Sequence, residues 1–190
     1  MSLPRALGAG LLLAHTLVVF AAPQAYEVEY TAVRSGLRAG RVVQSLVLDT
    51  QGGYRMDLHL EPTGIATVFT SKTLTERSEG QIVRNLPQPV RFEHRPEGGP
   101  KAAKDFRNFS FDRKAGRITD LGGSGAAIAL APAIRATVQD DLSQMEVLRQ
   151  SLAQGKGSFE LPVLYAGKDA VYTYRYTVIG KETVEDAHGK

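Results

Sequence analysis

The feature that most constrains this fold is a two-residue alternation of apolar and polar side chains that begins at Tyr26. Within 26–32, tyrosine, valine and alanine alternate with glutamate and threonine, and within 54–61 apolar residues alternate with charged residues and histidine. Successive side chains of a strand point to opposite faces, so this pattern predicts strands with one buried and one solvated face. One-sided strands of this kind are typical of antiparallel sheets.

Glycine-rich turn sequences separate the predicted strands, and the short connections favour an antiparallel meander because parallel strands require long crossovers. The chain has no cysteine, which excludes a disulfide framework, a thiolate metal site and a cysteine nucleophile. The further predicted strands are 41–49, 65–71, 73–78, 81–85, 90–95, 105–112, 117–121, 158–165 and 171–179.

One amphipathic helix is predicted at about 138–154, where apolar residues recur at spacings of three and four. Thr137 is the expected N-cap, with Asp140 as its capping-box partner, and Gly155 is the expected C-cap. We expect the apolar helix face to pack against the sheet. Its residues are Val138, Leu142, Met145, Leu148 and Leu152.

A width argument then predicts the overall shape. Eight strands make a sheet about 38 Å wide, whereas one helix is only about 10 Å across. We therefore expect a mainly β fold with a strongly curved antiparallel sheet, a half-barrel or barrel-like meander, packed on this helix. Large apolar faces are rarely left exposed unless they bind something, so we expect an apolar groove. The predicted lining residues are Met56, Leu58, Leu60 and Phe69.

The N-terminus has the pattern of an export signal. One basic residue, Arg5, precedes an apolar run at 6–20 that is too short for a membrane span of about 20 residues, and small residues follow. We expect 1–25 to be a cleaved signal peptide and 26–190 to be a single β-rich domain in the periplasm. After cleavage the chain is expected not to span a membrane.

No motif in the sequence predicts catalysis. Ser124 lies in a loose glycine-rich elbow, but a serine hydrolase needs a parallel α/β context and a suitably placed histidine. The histidines His59, His94 and His188 are too widely separated for a local metal motif. The adjacent acids at 140–141 suit the start of a helix better than a carboxylate pair, because neighbours on a helix do not face the same way. We expect no enzyme, no metal and no cofactor.

Basic residues are concentrated at 84–117, where nine basic and four acidic side chains give a net charge of +5. Two interpretations are open: the solvated face and turns of edge hairpins, which we favour, or attraction to an anionic lipid surface or acidic partner. We expect no nucleic-acid partner.

Several segments together resemble a known family. They are 26–30, 54–60, 139–143 with Arg149 downstream, 157–163 and 179–182. They resemble an uncharacterised family of exported proteobacterial proteins, catalogued as domain of unknown function three-one-zero-eight. The resemblance implies no activity, and it implies a curved antiparallel sheet of the general kind seen in periplasmic lipoprotein carriers.

Members of that family usually continue beyond the point where this chain ends. The charged residues before Lys190 therefore form either a frayed tail or the start of a hairpin whose closing strands are missing. For function, we expect a non-enzymatic periplasmic protein that binds an apolar or lipid-like ligand in its curved sheet. The alternative is an envelope interaction or scaffold protein whose interior is filled by its own side chains. The sequence does not predict an oligomeric state.

Overall fold

The computed structural model describes residues 22–64, 66–99, 101–123 and 125–183. Its main element is an antiparallel sheet whose eight strands are neighbours in chain order. The predicted signal peptide lies outside the described residues except for 22–25, which have no regular secondary structure. The eight strands are β1 (Tyr26–Arg34), β2 (Leu37–Leu48), β3 (Gly53–Pro62), β4 (Thr73–Val83), β5 (Leu86–Glu97), β6 (Arg107–Asp112), β7 (Arg117–Asp120) and β8 (Ala127–Ala129).

A smaller sheet packs beside the large one, in the order β11-β10-β9, with β10–β11 antiparallel and β9–β10 parallel. The predicted fold class is confirmed: the chain is mainly β, with a curved antiparallel sheet that is not closed into a barrel within the described residues. No described helix is long and apolar enough to cross a membrane. The remaining elements are α1 (Ala66–Phe69), α2 (Ala102–Asp105), β9 (Gln139–Asp140), α3 (Ser143–Ala153), β10 (Ser158–Tyr165) and β11 (Ala170–Thr177).

Two strand predictions were wrong in informative ways. The segment 65–71 contains α1 instead of a strand, because the carbonyls of Thr63 and Gly64 accept the N–H groups of the next turn. The predicted strands 73–78 and 81–85 form one strand, β4, with a bulge at Gly80 where a turn was expected. An added Cβ at Gly80 would collide with the backbone of Gln88. Glycine is therefore required there for close strand approach.

The start of α3 also differs from the prediction. Residues 139–140 run extended beside β10, so the helix begins at Ser143. Asp140, not Thr137, provides the cap: its Oδ1 accepts the N–H groups of Leu142 at 3.0 Å and Ser143 at 2.6 Å. The Ser143 hydroxyl in turn accepts the Asp140 N–H at 3.0 Å. At the other end Gly155 adopts a φ of +73°, as its predicted C-cap role requires.

The predicted apolar face of α3 is not the buried face. Met145 and Leu152 are 47% and 54% exposed, whereas Val138 and Leu142 are buried but precede the helix. A largely polar face is turned inward because the Asp140 cap fixes the rotation of the helix and Glu146 is paired within it. The buried residues of α3 are Ser143, Glu146, Val147, Gln150 and Ser151.

The main core lies between the large sheet and the segment 130–166. On the large sheet, the strand face that carries Met56 and Phe92 is buried, and we call it the core face. Register places Leu46, Met56, Ser78, Phe92 and Phe109 side by side across five neighbouring strands. All five are at most 1% exposed. The protein's own side chains therefore fill the centre of this sheet.

Candidate functional site

The four predicted lining residues are distributed between the core and its margin. Met56 is completely buried in the main core. Leu58 packs against that core while partly exposed, and Leu60 is half-buried one row further along the same strand. Phe69 ends α1, and its side chain lies outside the described part of the structure. Three of the four therefore share the core face, where Met56 is buried and Leu58 and Leu60 are half-buried.

An open apolar surface lies elsewhere, between α3 and β11. A groove of about 320 Å³ runs between Leu148 and Leu152 on the helix and Phe159 and Tyr176 on the small sheet. It continues along the chain after β11, where Ile179 is fully exposed. We call this surface the α3–β11 groove.

Aromatic rings form one wall of the α3–β11 groove. Phe159 and Tyr176 face each other in register and stack with ring centroids 5.5 Å apart. Tyr174 and Tyr172 extend the row, with successive centroid distances of 6.4 Å. The Tyr176 hydroxyl donates to Gln144 Oε1 at 2.6 Å, which ties the aromatic row to α3. The groove thus has an aromatic wall opposite an aliphatic one.

Sequence reasoning missed this groove because it placed Leu148 and Leu152 in the core. A signal for the opposite wall was present, since tyrosine at 172, 174 and 176 follows the strand period and predicts one aromatic face. What the sequence did not reveal is the rotation of α3, which depends on the Asp140 cap.

Beneath α3, a buried polar chain connects the helix to the large sheet. The Ser78 hydroxyl donates to Asp140 Oδ2 at 2.7 Å and lies 3.0 Å from the Tyr54 hydroxyl. Asp140 is completely buried, and this desolvation raises its pKa from 3.8 to about 6. Desolvation, together with the nearby Asp140 charge, also raises the pKa of Tyr54. Because the Asp140 oxygens are occupied by donors from the protein, this carboxylate has a structural role.

A second acidic group lies next to this chain. The Asp141 Oδ2 accepts the N–H of Ala166 at 3.0 Å, and burial raises the pKa of Asp141 to about 6. The charge of Glu76 raises it further, whereas His94 lowers it. Glu76 and His94 are themselves paired at 2.7 Å. The alternation along β4 did not reveal the buried position of Glu76, because polar residues occupy both faces of that strand.

The remaining candidate groups do not assemble into a reactive site. His59 lies on the solvated face, 3.9 Å from Glu61. His188 and Ser124 lie outside the described residues. Among the residues that are described, no cluster of three or more histidine, cysteine, aspartate or glutamate side chains could hold a metal ion.

The basic segment 84–117 does not form one uniform patch. Arg95 pairs with Glu93 at 2.8 Å, and Arg107 pairs with Asp169 at 2.7 Å. The guanidinium of Arg113 is partly buried, where it donates to backbone carbonyls, and desolvation lowers its pKa. Much of the local positive charge is therefore neutralised or internal.

The comparison with protein families covers almost the whole chain. Residues 25–190 match the family described as Protein of unknown function (DUF3108). No significant match was found among the curated proteins or among the solved structures. Because the family model spans far more than half of the 190 residues, the chain belongs to the DUF3108 family of proteins of unknown function.

Proposed function

We propose that this protein is an exported, non-enzymatic protein of the periplasm that binds an apolar, lipid-like chain in the α3–β11 groove. One observation carries the proposal: the groove keeps large apolar side chains in solvent, with Leu152 at 54% and Ile179 at 100% exposure. Contiguous exposed apolar surface is costly for a soluble protein and typically marks a binding site.

The chemistry of the groove favours an apolar chain over a polar ligand. Of the described residues that line it, none is charged, and the polar side chains are Thr177 and Tyr176. The Tyr176 hydroxyl is already bonded to Gln144. A ligand would therefore gain mainly from apolar burial, at about 25 cal/mol per Å². An acyl chain fits between aromatic and aliphatic walls because it needs no hydrogen-bond partner.

Two further considerations support the export and the absence of catalysis. The segment 6–20 with Arg5 in front has the composition of a signal peptide. The acids with raised pKa values, Asp140 and Asp141, accept hydrogen bonds from the segments they fix, which is typical of a structural role.

Binding of dansyl-undecanoic acid to the full chain tests the ligand class. We expect saturable fluorescence enhancement, and we expect the double variant Leu152→Gln, Ile179→Gln to weaken it by at least about tenfold. Val68→Gln is the matched control, because Val68 is 78% exposed and lies outside the groove. Unchanged binding in the double variant would refute the proposed site.

A second candidate function is an envelope interaction or scaffold protein without a small ligand. The filled centre of the large sheet, where Met56 and Phe92 are fully buried, favours it. So does β11, which pairs only with β10 within the described residues and leaves a strand edge beside the groove. Such an edge can accept a strand from another protein. Failure of the wild-type chain to bind dansyl-undecanoic acid would favour this candidate.

A further inference from the structure

One end of the large sheet carries the most exposed large apolar side chains that the structure describes in that sheet and its connections. Four connections lie at this end, those of β1–β2, β3–β4, β5–β6 and β7–β8, because consecutive strands of the sheet are antiparallel neighbours. The four side chains are Val33 at 61%, Leu37 at 56%, Val68 at 78% and Leu121 at 63% exposure. Among the described residues only Ile179, in the α3–β11 groove, is a large apolar residue with comparable or greater exposure. We call this surface the apolar end.

Backbone contacts hold neighbouring connections of the apolar end together. The Thr63 N–H donates to the Ala39 carbonyl at 3.2 Å, which joins the segment that contains α1 to the start of β2. On the other side of α1, a Cβ added at Gly98 would lie only 2.7 Å from the Ser71 carbonyl oxygen. The connections β1–β2, β3–β4 and β5–β6 are therefore in contact and form one surface.

The exposed apolar residues are distributed along this surface and are not gathered at one point. Neighbouring strands lie about 4.8 Å apart, so successive connections, which are two strands apart, are separated by about 10 Å. A small ligand would reach the apolar residues of only one or two connections. An extended partner can bury all of them at once, and exposed apolar surface of this kind typically marks such an interaction.

Basic side chains accompany the apolar residues. Those at the apolar end are exposed, and they are Arg38, Lys72, Lys101 and Lys104. None of them forms an ion pair with another described residue. The Lys72 side chain lies against the next connection, since a Cβ added at Gly99 would be 3.0 Å from its Cε. The exposed acids described beside them are Glu97 and Asp105, so basic side chains are in excess.

From these observations we infer that the apolar end docks the protein onto the surface of a lipid bilayer that contains anionic phospholipids. Val33, Leu37 and Val68 enter the boundary between headgroups and acyl chains, and the basic side chains contact lipid phosphates. A bilayer accepts separated apolar side chains because its acyl region is fluid, and clustered Lys and Arg are attracted to an anionic leaflet. An acidic protein would match the charge, but it would need a separate apolar pocket for each connection.

Vesicle binding by residues 26–190 tests this inference. This part of the chain contains every helix and strand described, and it omits the apolar segment 6–20, which would bind lipid by itself. With phosphatidylcholine vesicles that contain about 30% phosphatidylglycerol, we expect at least about tenfold higher affinity in a sedimentation assay than with phosphatidylcholine alone. Salt at about 0.5 M should remove the difference. Equal affinity for the two kinds of vesicle at low salt would overturn the inference.

A single tryptophan reports insertion directly, since the chain has none of its own. Leu37→Trp is the reporting variant. Leu86→Trp is the matched control, because Leu86 is an exposed hairpin residue at the opposite end of the same sheet. On addition of the anionic vesicles, the emission of Leu37→Trp should move to shorter wavelength and be quenched by brominated acyl chains, whereas Leu86→Trp should show neither effect. No change in Leu37→Trp, or an equal change in both variants, would contradict insertion at this end.

Glutamine variants separate the apolar contribution from the basic one. Val33→Gln combined with Val68→Gln should weaken binding to the anionic vesicles at least about tenfold, and Val83→Gln combined with Leu86→Gln, at the opposite end, is the matched control. Lys101→Gln combined with Lys104→Gln should lower the affinity towards that for neutral vesicles, whereas the exposed Lys114→Gln should change it little. Thermal melts establish that each variant folds. Full affinity in the Val33 and Val68 double variant would overturn the docking surface.

Two further measurements distinguish bilayer docking at the apolar end from its alternatives. The groove variant Leu152→Gln, Ile179→Gln should bind the anionic vesicles as the parent does, and loss of binding would move docking to the α3–β11 groove. Polyglutamate should bind at least about tenfold more weakly than the vesicles, because it offers charge without an apolar phase. Equal affinity would assign the surface to an acidic polypeptide instead. A failure of dansyl-undecanoic acid binding alone would refute the groove and leave the apolar end intact.

Discussion

The buried carboxylate of Asp140 leads us to predict that the folded protein becomes more stable as the pH is lowered from neutral. Desolvation raises its pKa from 3.8 to about 6, so the folded protein holds its proton more tightly than the unfolded chain does. The resulting stability is fully present below a pH of about 4 and is lost as the pH rises through about 6. The difference between those pKa values corresponds to about 3 kcal/mol. Asp141, with a pKa also near 6, contributes with the same sign.

Two substitutions separate the charge of Asp140 from its hydrogen bonds. In Asp140→Asn, the amide oxygen can still accept the N–H groups of Leu142 and Ser143, and the amide nitrogen can donate to Ser78, which then donates to Tyr54. The variant therefore keeps the cap without the buried charge. We expect it to be more stable than the parent at neutral pH, by up to about 3 kcal/mol.

Asp140→Ala should have the opposite effect. It leaves the backbone N–H groups of Leu142 and Ser143 without their acceptor in a buried position, whereas the Ser78 hydroxyl can still donate to Tyr54. Each unsatisfied buried group costs about 1–3 kcal/mol, so against the gain of up to about 3 kcal/mol from removing the charge we expect a net loss of up to about 3 kcal/mol. If Asp140→Asn stabilises the protein and Asp140→Ala destabilises it, then α3 requires the hydrogen bonds that Asp140 accepts and not its negative charge.

Urea unfolding at a pH of about 7 and about 4.5 measures both effects. The parent should gain stability on acidification, and Asp140→Asn should lose about half of that gain because Asp141 still titrates. If the asparagine variant were as unstable as the alanine variant, the ionised carboxylate itself would be holding α3, and the reasoning from desolvation would be refuted.

The remaining predictions concern local contacts. Gly80→Ala should cost at least about 2 kcal/mol in urea unfolding, because its Cβ would meet the Gln88 backbone at the bulge. Tyr176→Phe should cost about 1 kcal/mol by removing the bond to Gln144, and a thermal melt would detect it. Asp57→Ala, which removes a carboxylate between two exposed arginines, should cost no more than about 1 kcal/mol and less at high salt.

Strand alternation was sufficient to predict most of the large sheet. The period of two around Met56 assigned its strand to one buried and one solvated face, and the structure places the side chains accordingly. The bulge at Gly80 was not predictable, because a glycine between two strand-like runs is compatible with a turn as well as with a bulge. Only the close approach of the Gln88 backbone distinguishes the two outcomes.

The candidate sites were less predictable than the sheet, because they depend on contacts between distant segments. Leu148 and Tyr176 belong to different elements, and nothing in their local sequences indicates that both line one groove. Ser78 and Asp140 are 62 residues apart, yet their hydrogen bond fixes the start of α3. Buried polar pairs of this kind have no periodic signature, whereas apolar strand faces do.

The periodicity of the predicted helix gave the wrong buried face, and two leucine substitutions test this directly. Leu142 and Leu152 share the predicted apolar stripe, but only Leu142 is buried, at 1% exposure against 54%. Leu142→Ala should therefore cost about 2–5 kcal/mol, whereas Leu152→Ala should change stability by no more than about 0.5 kcal/mol.

Equal losses in the two variants would restore the continuous helix of 138–154 and its apolar face. The expected inequality would instead confirm that the stripe is interrupted where α3 begins at Ser143: Leu142, before the helix, reaches the core, and Leu152, within it, is turned towards the α3–β11 groove. In that case Leu152→Ala should weaken dansyl-undecanoic acid binding while leaving the urea midpoint unchanged. A leucine that contributes to binding but not to stability is what an exposed apolar groove requires, because its apolar surface is buried only when the ligand is bound.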